Sequence, residues 1–259
     1  MLRRVRVHFV ALFMGMAVLT SCEILDQLLA GAGNLNIPTA LTSGEIAKGL
    51  KEALKVGTDT AVNRLARNNG FYGDKLVQIG LPKEANAIVK NLSKVPLVGE
   101  PLVEEAKKLI NRAAEDAARE AAPIFKNAIT TMSIADAVGI LKGNDSAATH
   151  YLRGKTYRQL KQAFLPKIKN SLSKDLVKNT SAEEAYQKLI DNYNLAAKIP
   201  FSGLEPIKTN SLSQYATKRA LNGLFLKVAN EEKDIRHDPV ARVNDILKKV
   251  FDENALIGS

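Results

Sequence analysis

The chain has little of what most catalytic centres are built from. Its 259 residues include one cysteine, three histidines and no tryptophan, and aromatics make up only 5%. A single cysteine excludes an intrachain disulfide framework and any multi-thiolate metal site. Three histidines leave little material for a histidine-based metal cluster or a proton relay. There is no GxxxxGK[ST] or GxGxxG phosphate loop and no GxSxG nucleophile elbow. No metal and no cofactor are therefore expected. Acid is the minority charge, with 27 Asp+Glu against 37 Lys+Arg and a formal net charge of +10. What is present is ordinary for a folded domain: 46% hydrophobic residues, 25% charged, and enough length for a substantial core.

The first residues read as targeting rather than fold. Arg3, Arg4 and Arg6 precede an apolar run from Phe9 to Leu19. As a helix that run spans about 16 Å, against a hydrocarbon core of roughly 30 Å, so it is too short for an ordinary membrane span. A basic segment followed by a short apolar one is the pattern of a secretory signal peptide. Leu19-Thr20-Ser21-Cys22 then resembles the bacterial lipobox, in which the cysteine thiol takes a diacylglyceryl group and the bond before it is cut. One acyl chain holds a protein only marginally on a membrane, and two or three hold it stably. The alternative is a free or buried thiol that happens to follow an apolar run. The expected division is a signal peptide over 1–21, a lipidated Cys22 and tether over 22–41, and a helical domain over 42–259. Loss of the three arginines leaves the remainder at +7.

From Thr42 the chain reads helical almost throughout. Thr42-x-x-Glu45, Ser133-x-x-Asp136 and Ser181-x-x-Glu184 are capping boxes. Ile46, Leu50, Ala53, Leu54, Ala61 and Leu65 recur at helical spacing, with Gly57 as an interruption and Asn68-Asn69-Gly70 as a stop. Pro82 suits the first turn of a further helix, and Pro96 to Pro101 read as a loop. Leu102 to Ile129 is helical, with a break or kink expected at Pro123. Asp145 is expected to cap a short helix over Ala147–Leu152. A basic amphipathic stretch follows over Thr156–Asp175, carrying Pro166. Leu212 to Arg236 forms a long helix, and Asp238-Pro239 begins the last one, through Phe251. No segment alternates with period two, and no hairpin signal is seen. The expected fold is all-α: one domain of about ten helices.

Several blocks resemble one family. They include Gly49-Leu50-Lys51-Glu52-Ala53-Leu54, Asn111-Arg112-Ala113-Ala114-Glu115, and Asp136 to Gly143. Ala147-Ala148-Thr149-His150-Tyr151, Ala220 to Phe225 and Glu232 to Pro239 follow, then Arg242 and Leu247 to Phe251. In this order they are similar to the bacterial "domain of unknown function 4197" family, over about Thr42 to Phe251. The resemblance implies a helical, exported bacterial protein. It implies no catalytic residues, because the family has no established activity. Asn222 and Asn244 stand where the family pattern has Asp and Thr.

Four constellations could carry function. Glu231, Glu232, Asp234 and His237 lie in the densest ionisable cluster, with Arg236 and Asp238. They could form an acid/base pair or a cation site, or they could be charges bunched at a helix end. Asn111, Arg112 and Glu115 could line a polar pocket or lock neighbouring helices through buried hydrogen bonds. The turn Gly143-Asn144-Asp145-Ser146 opens a helix and could hold an anion, unless Asp145 caps that end. Arg153, Lys155, Arg158, Lys161, Lys167 and Lys169 form a basic surface. On an exported protein it points to anionic lipid or an acidic envelope polymer rather than nucleic acid, or it is simply a solvated helix face.

The leading expectation is a lipid-anchored, periplasm-facing protein of the bacterial cell envelope. It would contact the membrane through its anchor and bind a protein partner or an apolar ligand, without catalysis. The alternatives are an envelope enzyme centred on residues 231–238 and a structural or assembly factor at the membrane surface.

Overall fold

A computed structural model of the chain describes residues 41–85, 99–177, 180–203, 205–206, 208, 211–242 and 245–251. The expected signal peptide, Cys22 and nearly all of the tether lie outside these residues, as does Asn244. The described residues form eight α-helices, seven of them eight residues or longer, and two 3-10 turns. The all-α expectation holds, while its count of about ten helices exceeds the eight seen here.

Helix α1 (Ser43–Ala66) opens on the Thr42 capping box, in which Thr42 and Glu45 satisfy each other's backbone N–H groups. It runs unbroken through Gly57, contrary to the expected interruption. A methyl group at Gly57 would lie 3.5 Å from Glu231 and Ile235, so this residue sits at a helix crossing. Asn69 then takes a left-handed conformation, φ 64°, and turns the chain as the Asn-Asn-Gly signal predicts. After a 3-10 turn (Lys83–Ala85), helix α2 (Gly99–Ala118) begins before Pro101. Pro101 therefore lies in a first turn rather than in the expected loop. The break assigned to Pro123 falls earlier, at Arg119-Glu120, and α3 (Ala121–Thr130) carries Pro123 in its first turn. There the missing N–H costs nothing, because first-turn N–H groups have no intrahelical partner.

Helix α4 (Ile134–Leu141) starts on the Ser133 capping box. Helix α5 (Ala147–Leu172) is continuous, where the sequence predicts two pieces. Ala148, Leu152, Thr156, Leu160, Phe164, Ile168 and Leu172 are buried at every fourth position, and this row carries the helix past Pro166. The polar member hides its hydroxyl by donating to the Leu152 carbonyl at 2.6 Å. A short antiparallel ladder follows, β1 (Asp175–Val177) with β2 (Thr180–Ser181), which the sequence reading missed. Helix α6 (Ala182–Ala197) begins on the Ser181–Glu184 capping box. Helix α7 (Leu212–His237) is followed by a 3-10 turn (Pro239–Ala241), capped by Asp238, and by α8 (Asp245–Phe251).

The core sits where α7 crosses α5 and α1, with α2 and α3 closing over α5. Phe71, Phe125, Phe164, Leu65, Ile110 and Leu221 are fully buried there. Burial of each large apolar side chain contributes about 1.5–3 kcal/mol. Among the described residues, no single helix is long and apolar enough to cross a membrane.

Candidate functional site

The acidic cluster of α7 is a divergence rather than a centre. A helix turns 100° per residue, so consecutive Glu231 and Glu232 point to different neighbours. Glu231 reaches α1 and pairs with Arg64. Burial pushes its carboxyl above the ordinary glutamate range, Asp234 adds to this by repulsion, and Arg64 and Lys227 only partly offset it. Glu232 reaches the first turn of α5. It accepts the N–H groups of Ala148 at 3.0 Å and Thr149 at 2.9 Å, and the Thr149 hydroxyl at 2.8 Å. Arg236 donates to the same carboxylate and also to the carbonyls of Leu141 and Ile140, which end α4. Asp234 is exposed. His237, also exposed, meets Asp145 at 2.8 Å.

This corrects the reading of Asp145. It does not cap α5, because Glu232 holds that helix end from the far side of the chain. A carboxylate already occupies the site where an anion was considered. Among the described residues, no group of three or more His, Cys, Asp and Glu could hold a metal ion.

Asn111, Arg112 and Glu115 do come together, around the segment between α1 and the first 3-10 turn. Asn111 accepts from the Ile79 N–H and donates to the Ile79 carbonyl, both at 2.8 Å. Glu115 accepts the N–H groups of Phe71 and Tyr72, and pairs with Arg112 at 2.5 Å. Arg112 also donates to Asn69. Tyr215 of α7 donates to the Gly80 carbonyl at 3.2 Å, closing the segment from its other end. Asn111 and Glu115 are thus occupied with main-chain atoms, while Arg112 also borders an open surface recess with Tyr72 and Lys108.

The basic stretch divides. Arg153 turns over the rings of Tyr157 and Phe225, 5.1 Å from each, and donates to Asn222. Lys167 pairs with Glu120 at 2.9 Å. Lys155 lies over the Tyr151 ring, and Lys155, Arg158, Lys161 and Lys169 are exposed.

Two hollows matter. One, where α1, α5, α7 and α8 meet, is lined by Leu50, Leu54, Val228, Ile235 and Phe251 and has about 20 Å³ of free space. That is room for a single water, whereas an apolar ligand site takes several hundred Å³. The other is an open recess of about 520 Å³ between α1, α3 and the start of α4, walled by Lys48, Lys51, Lys55 and Lys126. Sequence reasoning passed over these lysines. Their signal was the i, i+3, i+7 spacing of the first three, which puts them on one helix face.

No curated protein and no solved structure matches the chain. One family model does, over residues 40–252, and it covers every helix described above. The chain belongs to the family described as "Protein of unknown function (DUF4197)".

Proposed function

We propose that the chain is a non-enzymatic interaction module of the bacterial cell envelope, held on the membrane by acyl chains at Cys22 and facing the periplasm. The observation that carries this reading is how its interior charge is used. The carboxylates buried among the described residues, Glu115, Glu231 and Glu232, are each engaged with a helix end, a main-chain turn or a neighbouring arginine. A general acid or base needs a carboxylate facing substrate space, and these three face structure. The exposed lysines of α1 and α5 form cationic outer surfaces suited to acidic partners. The basic, then apolar, then Leu-Thr-Ser-Cys order of the first 22 residues supports the anchor.

The test is metabolic labelling with radioactive palmitate in a bacterial host. The wild-type chain takes up label and fractionates with membranes, and Cys22→Ala takes up none. Label that persists in Cys22→Ala rejects the anchor.

A further inference from the structure

Unpaired charge, apolar surface and open space coincide in the recess between α1, α3 and the start of α4. Lys48, Lys51 and Lys55 form one wall and Lys126 of α3 stands on another. Lys51 donates to the Thr130 carbonyl at 3.1 Å, and Lys55 lies 3.9 Å from Glu52, the one carboxylate on the lining. Lys48 and Lys126 are exposed, and their ammonium groups make no hydrogen bond or ion pair among the described residues. Four ammonium groups against one carboxylate leave a clear excess of positive charge.

The floor is kept low by small residues. A methyl group at Gly44 would meet only the Thr42 hydroxyl, at 4.0 Å, and Ala47 follows one turn on. Beside the lysines lies Ile134, 54% exposed, backed by the buried Ile129. The recess is within the range of about 300–1,000 Å³ common to small-molecule sites.

We propose that this recess binds the headgroup region of an anionic phospholipid. The phosphate lies among the lysines, and the first carbons of the hydrocarbon part lie against Ile134. A free phosphate would leave the exposed Ile134 in water. A single-stranded nucleic acid would use aromatic rings to stack its bases, and none lines the recess. Phospholipid as the source of the anion rests on the envelope reading above; the anion site itself does not, nor does it need acylation of Cys22.

The experiment titrates the purified full chain, carrying Cys22→Ala, with monomeric dihexanoyl phosphatidylglycerol and follows binding by calorimetry. Saturable binding is expected, weakened about tenfold by Lys51→Gln with Lys126→Gln. Ile134→Ser weakens binding of this lipid and leaves that of inorganic phosphate unchanged. Lys218→Gln with Lys233→Gln, on exposed positions of α7, changes nothing, and circular dichroism checks that every variant is folded. Absence of saturable binding overturns the proposal, as does equal affinity for dihexanoyl phosphatidylcholine. Inorganic phosphate binding as tightly as the lipid overturns the lipid assignment. An equal loss in the α7 pair overturns the location.

Discussion

Two neighbouring glutamates of α7 carry opposite energetic signs. Glu232 is met by the Ala148 and Thr149 N–H groups, the Thr149 hydroxyl and Arg236, whose side chain is only 11% exposed. Glu232→Gln replaces an acceptor oxygen by a donor among these donors and removes the charge opposite Arg236. It should cost about 3–5 kcal/mol. Glu231 is different, because Arg64 is 54% exposed and stays solvated if its partner is neutral. Burial raises the Glu231 carboxyl above its unfolded value, so the native state holds the extra proton as the pH rises through that window. Stability then falls with rising pH on its account. Glu231→Gln should therefore match or exceed wild type at about pH 7 and lose that advantage near pH 4. Urea midpoints of both variants at the two pH values check the pair; equal losses at about pH 7 would contradict it.

At the scale of the element, Gly49 decides how α8 docks. A methyl group there would collide with Val250, and Ile246 would lie 3.3 Å from it. Elsewhere in a helix, Gly→Ala gains up to about 1 kcal/mol. Here the overpacking cost of about 1–3 kcal/mol should outweigh the gain, since Val250 is buried and its β-branched side chain is stiff. Gly49→Ala is expected to raise amide hydrogen exchange in α8 while α5 and α7 stay protected. Stabilisation without such a change would mean that α8 is not seated on α1.

The elements also show which signals sequence carries. The three capping boxes were legible because both partners lie three residues apart. Proline was misread at Pro101, read as loop but lying in a first turn, and the break was placed a few residues late at Pro123, because its effect depends on position within the helix. Of the partners of Glu232 only Arg236, four residues on, is local; the Ala148 and Thr149 groups that define its role lie more than 80 residues away. Nor does local pattern reveal that Asn111 would grip Ile79.

For the whole molecule, α7 is the common support: α1, α2, α5, α6 and α8 all lean on it. Removing any one uncovers apolar surface on the others. The helical unit should accordingly unfold in one transition, with coincident midpoints by far-ultraviolet circular dichroism and tyrosine fluorescence. Separate midpoints would show that α6 or α8 parts from the remainder first.

The grip of Asn111 and Glu115 has a consequence for how this chain can change over time. Asn111 holds a main-chain N–H and a carbonyl, and Glu115 holds two main-chain N–H groups, which every amino acid except proline supplies. The stretch they grip is therefore recognised without regard to most of its side chains. Exposed positions such as Lys75 and Leu76 are free to drift in spelling, while the grammar is kept by two residues on another helix.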